Sequence, residues 1–293
     1  MRLVYFRGGG GVTNFGDELN IDVWRHYLPG AFDGPDDGTQ FVGIGTLLND
    51  NLPAASRTLV FGSGVGYYGP PRRDASWRVY CVRGPLSAAA LDLPPDFAVT
   101  DPGALVARMP AEAPPAGRRM ARAYMPHWES QVDAWADICA SVGFGFIDPR
   151  WPTGRVLDAL RRTDVLLTEA MHGAIVADAL RVPWAAITTR PEIKAFKWND
   201  WCQSMRLEYQ PQMLPPAWPA LPAGASPIRR IRRWGRLRAQ SAALLRAWMR
   251  AKPVLSDKAL LDERLDVLED RLAQLKQNEM AAWAVVTGPQ PAG

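Results

Sequence analysis

The sequence has few cysteines, few lysines and no long hydrophobic run. Its three cysteines, Cys81, Cys139 and Cys202, lie far apart and lack the spacing of metal ligands, which argues against a disulfide framework and a zinc site. No stretch of about 18 apolar residues occurs, so we expect no membrane-spanning helix. The N-terminus does not resemble a secretory signal. These absences predict a cytoplasmic globular protein whose cysteines are reduced and buried.

The distribution of short apolar runs predicts an α/β fold with two domains. The chain has 293 residues, of which 47% are hydrophobic, enough for two cores of medium size. Apolar runs alternate with helical patterns and lie near residues 3–6, 40–44, 58–61, 78–82, 122–126, 143–147, 165–168 and 184–187. The first four predict one parallel sheet and the last four a second. Proline-rich stretches at 109–117 and 211–227 are the predicted linkers, so we assign residues 1–110 and 118–210 to two Rossmann-like domains.

Charge is distributed unevenly along the chain. Residues 1–228 hold 21 Lys and Arg against 23 Asp and Glu, whereas residues 229–293 hold 13 against 7. Residues 229–252 contain nine basic residues and no acidic one. They are interleaved at three- and four-residue intervals with Ile231, Trp234, Leu237, Leu244, Leu245 and Trp248.

This pattern predicts a basic amphipathic helix over residues 228–252. Two interpretations stay open: the helix lies on an anionic membrane surface, or it packs its apolar face on the domains. Nucleic acid is not the expected partner, because aromatic stacking platforms are not otherwise evident. A second helix is predicted over residues 256–282.

Leucines at heptad spacing mark this second helix. They are Leu261, Leu265, Leu268, Leu272 and Leu275. Such a seam over residues 261–275 is typical of a short coiled coil, which would give a homo-oligomer, or of a helix docked on the body of the protein. The spacing alone favours neither.

The most informative segment is TEAMHGAIVADAL at residues 168–180. A buried strand ends there and a helix begins, with His172 and Gly173 in its first turn. Free backbone N–H groups and the helix dipole favour an anion at such a turn, and Gly173 would let a ligand approach the backbone. The alternative is that His172 merely caps or packs the helix.

Further glycine-rich motifs follow the predicted strands of the N-terminal half. They are NFGDELN at 14–20, VGIGTLL at 42–48, VFGSGVG at 60–66 and VRGPLS at 82–87. Together with the His172 segment and the Val182-Pro183 that follows it, their order and spacing resemble the polysaccharide pyruvyl transferases, over about residues 2–210. Many members have an arginine just before the histidine. This chain has Glu169-Ala170-Met171 there, so no anion-binding role passes to that position.

The resemblance implies two Rossmann-like domains facing each other across a cleft, the GT-B arrangement, with an acceptor domain at 1–110 and a donor domain at 118–210. It also implies that phosphoenolpyruvate is the donor. The acceptor would be a sugar with two nearby hydroxyls, which pyruvate bridges as a cyclic ketal. No metal and no cofactor beyond the donor are expected.

This chemistry needs an acid, a base and groups that bind anions. His172 is the candidate for the general acid or for the phosphate contact, since imidazole suits either near neutral pH. Asp17 is the candidate base, and Asn14 would orient the acceptor. The alternative for Asp17 is an N-cap of the helix that follows.

Lysine is scarce enough to be informative. The chain has 29 arginines but five lysines, none before Lys194. Lys194 and Lys197, together with Arg190, follow the strand after the His172 helix and should reach the same cleft; the alternative is a solvated turn. Arg83 either binds an anion or caps the domain interface. His127 follows a strand of the second domain and is expected in the cleft or beside Trp128.

Three functions are compatible with these residues. The first is pyruvyl transfer to a bacterial exopolysaccharide, or to its lipid-linked precursor, on the inner face of the cytoplasmic membrane. The second is a GT-B nucleotide-sugar glycosyltransferase, in which Glu192 would bind the ribose. The third is a non-catalytic, membrane-associated assembly protein, against which the intact set of Asn14, Asp17 and His172 argues.

Overall fold

The computed structural model describes residues 1–6, 14–66, 69–110, 117–130, 132–190, 195–218 and 226–280. The fold is α/β, as the sequence predicts, and its strands form two parallel sheets. The first sheet contains β1 (Arg2–Val4), β2 (Thr39–Val42), β3 (Arg57–Phe61) and β4 (Trp77–Cys81). The second contains β5 (Ala123–Met125), β6 (Gly145–Phe146), β7 (Leu166–Thr168), β8 (Trp184–Thr188) and β9 (Gln212–Met213). Every predicted apolar run overlaps one of these strands.

Helices connect the strands and cover both sheets. They are α1 (Phe15–Tyr27), α2 (Pro85–Ala90), α3 (Val132–Ser141), α4 (Thr153–Arg161), α5 (Met171–Ala179), α6 (Ala195–Ser204), α7 (Pro227–Arg250) and α8 (Lys258–Leu275). Short 3-10 helices lie at Pro95–Phe97 and Pro102–Ala107, and a π-helical turn lies at Lys276–Met280. Among the described residues, no helix combines the length and the apolar character needed to cross a membrane.

The first sheet has the strand order β1-β2-β3-β4 and packs against α1. The Trp24 ring of α1 lies edge-on to Phe41 and Phe61, at centroid distances of 4.9 and 5.3 Å. The Asn20 side chain accepts from the backbone N–H of Ile44 at 2.8 Å and donates to its carbonyl at 2.9 Å. These contacts hold the beginning of α1 beside the loop that follows β2.

The second sheet has the strand order β6-β5-β7-β8-β9. After β5 the chain first adds β6 on one side and then crosses over to add β7 on the other. In open α/β sheets, ligands bind outside the carboxyl ends of the strands where the order reverses in this way. The loops after β5 and β7 are therefore the place to look for a site.

The second proline-rich segment is not only a linker. Gln212 and Met213 form β9, which pairs in parallel with β8, and Leu214 and Ala217 are buried. Burial of these side chains stabilises the segment as part of the fold. The high proline content of the sequence concealed the strand. Residues 219–225 of this segment, and 111–116 of the first predicted linker, lie outside the described residues.

The leucine seam of α8 belongs to the core of the protein. All five leucines of the seam are buried in the same cluster as residues of the first sheet, and α8 packs against β4. Glu279, just beyond the helix, accepts hydrogen bonds from Tyr80 at 2.6 Å and Arg78 at 3.0 Å, and forms an ion pair with Arg57. These contacts favour the docked helix over a coiled coil through these leucines, and the oligomeric state stays a prediction.

Contacts across the molecule join its two sheets. The backbone N–H of Phe15 donates to the Pro149 carbonyl at 2.7 Å. Arg83, in the first half of the chain, pairs with Asp200 of α6, and α8 returns to the first sheet. The two parallel sheets with their helices are consistent with a Rossmann-like fold. The assignment of two domains in the GT-B arrangement stays a prediction.

Candidate functional site

A cavity of about 360 Å³ lies where loops from both sheets meet. It is bordered by the beginnings of α1, α5 and α6 and by the loops after β1, β2 and β5. The lining residues are Phe6, Asn14, Phe15, Gly16, Asp17, Gly45, Thr46, Leu47, Asn49, Met125, His127, Trp128, Glu129, Ala170, Met171, His172 and Lys197. The cavity thus includes the loops after β5 and β7, where the order of the second sheet reverses.

Asn14 and Asp17 lie at the beginning of α1. Asn14 occupies the N-cap position, and its Nδ2 donates to Oδ2 of Asp17 at 2.6 Å. Asp17 is the third residue of the helix, so the alternative that it is the N-cap is wrong. The amide instead holds the Asp17 carboxylate at the cavity wall.

Burial changes the acidity of Asp17. The side chain is almost completely removed from water, and this desolvation raises the pKa of its carboxyl group to about 6. Electrostatic interactions with His172 and Lys197 and the hydrogen bond from Asn14 oppose the rise. A carboxyl group with this pKa can accept or release a proton near neutral pH.

His172 is the second residue of α5, and its ring lies directly against the backbone of Gly16. A Cβ atom at position 16 would lie 2.1 Å from Nδ1 of His172. The other ring nitrogen, Nε2, is 3.5 Å from Oδ2 of Asp101, whose side chain is fully buried. The imidazole is therefore enclosed between α1 on one side and a carboxylate on the other.

Sequence reasoning did not find Asp101. It is the N-cap of the 3-10 helix at Pro102–Ala107, and its Oδ1 accepts from the Gly103 N–H at 2.9 Å. An aspartate before proline is a common helix-start signal, which gives no hint of a second partner 71 positions along the chain. Only the fold brings Oδ2 of Asp101 to His172.

His127 lines the cavity on the side of the second sheet. Burial lowers the pKa of its imidazole to about 3, and the nearby charges of Lys197 and Arg190 act in the same direction. The ring is therefore neutral at physiological pH. A neutral imidazole can accept a hydrogen bond from a substrate hydroxyl as well as donate one.

Glu169 holds the loops of the second sheet together and was also missed by sequence reasoning. Its Oε1 accepts from the backbone N–H and the hydroxyl of Thr189, each at 2.6 Å. Its Oε2 accepts from the backbone N–H of His127 at 3.1 Å. One buried carboxylate thus joins the loops after β5, β7 and β8.

The predicted cations have different positions. Lys197 of α6 lines the cavity. Its charge opposes the rise of the Asp17 pKa and contributes to the lowering of the His127 pKa. Arg190 does not line the cavity. Its Nη2 is 2.6 Å from Oε2 of Glu129, and Glu129 does line the cavity. Lys194 lies outside the described residues.

Gly173 has a packing role that differs from the expected one. A Cβ atom at position 173 would lie 2.7 Å from Sδ of Met125 and 2.8 Å from Oγ1 of Thr168. The glycine therefore lets α5 approach β5 and β7 closely. The space it leaves is filled by the protein and not by a ligand, and Gly173 does not line the cavity.

Arg83 lies behind the cavity and has no exposed surface. Its Nε donates to Asp200 at 3.0 Å, and its Nη2 donates to the Val65 carbonyl at 2.9 Å. Its Nη1 donates to Oγ1 of Thr46 at 2.8 Å, and Thr46 lines the cavity. Two roles were expected for Arg83, binding an anion or capping the domain interface. Its contacts are those of a residue that joins the two halves of the molecule.

Comparisons with known proteins add one finding. No protein-family model matches the chain. The chain is 42% identical over 206 residues to the protein named "Succinoglycan biosynthesis protein ExoV" of Rhizobium meliloti (strain 1021). This chain is therefore similar to a protein of succinoglycan biosynthesis. The aligned part is 69% of this chain and 65% of the length of that relative.

Proposed function

We propose that this protein transfers pyruvate from phosphoenolpyruvate to two nearby hydroxyls of a sugar, forming a cyclic ketal. The acceptor is a bacterial exopolysaccharide or its lipid-linked precursor. The observation that carries the proposal is the meeting of Asp17 and His172 in one cavity at the reversal point of the second sheet. The similarity to a protein of succinoglycan biosynthesis supports a polysaccharide as the acceptor.

The reaction requires two proton transfers and a leaving phosphate. A proton adds to the methylene carbon of phosphoenolpyruvate, which makes its C2 carbon electrophilic, with oxocarbenium character. Two sugar hydroxyls add to C2 in turn and lose their protons, while the C2–O bond to phosphate breaks. One of the two hydroxyl protons balances the new methyl hydrogen, and the other leaves with inorganic phosphate.

Asp17 and His172 suit these proton transfers. The pKa of Asp17, raised to about 6, lets its carboxylate accept a hydroxyl proton near neutral pH without holding it too tightly. His172 is the general acid or the phosphate contact, with Asp101 behind it at Nε2. Asp101 is a positioning residue in this scheme, because a buried carboxylate orients the imidazole.

Helix ends and a lysine provide the anion site. The beginnings of α1 and α5 both border the cavity, and each helix N-terminus carries partial positive charge. Lys197 adds an ammonium group at the same wall. The carboxylate and the phosphate of phosphoenolpyruvate therefore have complementary partners here. Arg190 is a further candidate, and Lys194 is a candidate from the sequence alone.

Aromatic rings in the cavity suit a sugar. The rings of Phe6 and Trp128 line the cavity with centroids 6.3 Å apart, and Phe6 is exposed. Sugar rings present C–H faces that pack on aromatic rings, while their hydroxyls need hydrogen-bond partners. Asn14 and the neutral His127 line the same cavity and provide such partners.

Calorimetric titration of phosphoenolpyruvate tests the proposal. We expect binding by the wild-type protein and at least a tenfold weaker affinity in His172→Gln and Lys197→Gln, since each removes a charge or hydrogen bond at the donor site. His26→Gln and Lys258→Gln are the matched controls. Both control residues are exposed and do not line the cavity, so their affinities should equal that of the wild type.

Parallel titration with UDP-glucose separates the competing functions. Binding of UDP-glucose without phosphoenolpyruvate would replace the proposal by a nucleotide-sugar glycosyltransferase. Incubation with phosphoenolpyruvate and a succinoglycan oligosaccharide should release inorganic phosphate and add a pyruvyl ketal detectable by mass spectrometry. Absence of both products, with an acceptor that binds, would contradict pyruvyl transfer.

A further inference from the structure

Helix α7 has two apolar faces, and within the described part of the chain only one of them packs against other residues. On the inner face, Ala243, Leu244 and Ala247 are buried against α3 and the second sheet, and Leu237 and Trp248 are partly buried there. The sequence analysis left a choice between a packed helix and a membrane-bound one. The inner face packs on the protein, as the packed-helix interpretation expects, but it includes only part of the apolar residues of α7.

The outer face carries large apolar side chains that are exposed to solvent. Ile228, Ile231, Trp234 and Met249 are 64, 69, 59 and 74% exposed. At about 100° per residue these four positions fall within one sector of roughly 120°. The packed residues occupy the opposite side of the helix. Ile228, Ile231 and Trp234 lie within the first eight residues of α7, and Met249 lies on the same side near the end of the helix.

Arginines flank this outer face without any acidic neighbour on the helix. Arg232, Arg246 and Arg250 are exposed and follow one side of it. Arg238 lies over the Trp234 ring at 4.5 Å, and its charge therefore accompanies the exposed aromatic residue. Residues 229–252 carry nine positive charges and no negative one. The surface thus combines exposed aliphatic and indole groups with positive charges.

We propose that the outer face of α7 binds the surface of an anionic phospholipid membrane, with the helix lying in the plane of the interface. Ile228, Ile231 and Trp234 would enter the boundary between headgroups and acyl chains, and the arginines would contact lipid phosphates. Binding of nucleic acid would use the arginines but leave the isoleucines unexplained. A second copy of this face would bring like charges together.

The contacts of α7 with α3 show which end of α7 lies near the cavity. Arg233 of α7 contacts Asp137 of α3 at 2.8 Å, and Ser241 contacts Ser141 at 2.6 Å. The contacts occur in the same order along both helices, so α7 runs in the same direction as α3. Because α3 begins just after the cavity loop at residues 127–129, the exposed beginning of α7 lies at the cavity end of the molecule.

Flotation with lipid vesicles tests this inference on the full chain. We expect binding to phosphatidylcholine vesicles that contain about one third phosphatidylglycerol, weaker binding at high salt, and none to pure phosphatidylcholine. Ile231→Ser combined with Trp234→Ser should lower the vesicle partition coefficient at least about tenfold, because two membrane-inserted apolar groups are lost. Both side chains are exposed, so the variant should unfold at the wild-type temperature.

A pair of charge variants separates a specific face from net charge. Arg232→Ser with Arg246→Ser removes two exposed charges beside the outer face of α7, and Arg72→Ser with Arg119→Ser removes two exposed charges elsewhere. Only the first pair should weaken vesicle binding. Failure of the wild type to bind anionic vesicles, or equal binding by all variants, would overturn the inference.

Two further results would replace the membrane by another partner. A dimer in sedimentation that Ile231→Ser with Trp234→Ser dissociates would make the face an interface between copies. Stronger binding to an oligonucleotide than to vesicles would make it a nucleic-acid surface. Titration of phosphoenolpyruvate into the same variants keeps this test independent of the proposed activity, since its affinity should not change.

Discussion

Gly16 is the residue on which the geometry of the candidate site depends most directly. It is the second residue of α1, where glycine is a less favourable choice than alanine. The absence of a side chain instead leaves space for the His172 ring, which would lie 2.1 Å from a Cβ atom at this position. Glycine at position 16 therefore lowers the helix propensity but allows the His172 imidazole to lie against α1.

Gly16→Ala should therefore damage the site rather than the helix. We expect phosphoenolpyruvate affinity or transfer activity to fall at least about tenfold, because the ring must move away from Asp17. Gly34→Ala is the matched control, since nothing lies within 4 Å of a Cβ atom there. Wild-type activity in Gly16→Ala would contradict the placement of His172 in the active site.

Asp101→Asn tests the positioning role of the buried carboxylate. The asparagine Oδ1 can still accept from the Gly103 N–H, but its amide can no longer attract a protonated Nε2 of His172. We expect turnover to fall by about 10² or more with an altered pH profile, while phosphoenolpyruvate affinity changes less. Asp36→Asn replaces an exposed aspartate that accepts from Gly38 in the same way and should have no effect. An unchanged pH profile in Asp101→Asn would indicate a purely structural role.

Asp17 makes stability depend on pH in a predictable direction. The pKa is raised from 3.8 to about 6 in the folded protein, so the folded state prefers the protonated carboxyl group. The stability associated with this preference is complete below about pH 4 and is lost as the pH rises through about 6. At pH 8 the ionised carboxylate costs about 3 kcal/mol by this shift.

Asp17→Asn should consequently raise the free energy of unfolding at pH 8 and change it little at pH 4. Urea unfolding at the two pH values measures the difference. Asp22→Asn, an exposed position on the same helix, should change neither value appreciably. An asparagine variant that is less stable than the wild type at pH 8 would show that the interactions of the carboxylate with Asn14, His172 and Lys197 outweigh its desolvation.

At the scale of elements, α7 and α8 show how one sequence pattern serves different purposes. Both helices carry apolar residues at three- and four-residue spacing. In α8 the leucines face inward and join the core around the first sheet. In α7 the pattern divides between a packed face and an exposed one. Spacing identifies an amphipathic helix but does not identify what covers its apolar face.

Leu268→Ala distinguishes a docked α8 from a coiled coil. Leu268 is fully buried, so we expect a loss of about 2–4 kcal/mol in the free energy of unfolding and no change in oligomeric state. Val267→Ala on the same helix removes a partly buried side chain and should cost less than the leucine. A stability loss that depends on protein concentration, or a change in sedimentation, would favour an interface between copies.

At the scale of the whole molecule, Arg83 and Asp200 connect the parts that enclose the cavity. Both side chains are fully buried. Asp200 also accepts from the Ser87 N–H at 2.9 Å and the Ser87 hydroxyl at 2.5 Å. The network therefore joins the strand-to-helix turn before α2 to α6, which carries Lys197. A change at this connection should alter the cavity without touching it.

Arg83→Met should destabilise the protein strongly. Asp200 would remain buried without its cation, which typically costs about 3–5 kcal/mol. Arg119→Met breaks an exposed ion pair with Asp164 and should cost less than about 1 kcal/mol. Urea unfolding of the two variants measures the contrast. Similar small losses in both would show that the Arg83 pair contributes little to the connection between the halves.

Several features of this protein were determined by the sequence alone. The apolar runs predicted the strands because a buried parallel strand needs nearly continuous apolar residues, and the helical periodicity predicted α1, α5, α7 and α8. The positions of Asn14, Asp17, His127 and His172 at strand-to-helix turns were predictable as well. Chain direction alone places such turns at the carboxyl edge of a parallel sheet.

Only the tertiary structure decided which of these residues meet. Asp101 reaches His172 and Arg83 reaches Asp200 across long stretches of chain, and no local pattern encodes either contact. The packing role of Gly173 and the inward orientation of the α8 leucines were likewise settled by the surfaces that cover them. Local sequence specifies periodicity and turn chemistry, whereas the partner of a side chain depends on the three-dimensional path of the rest of the chain.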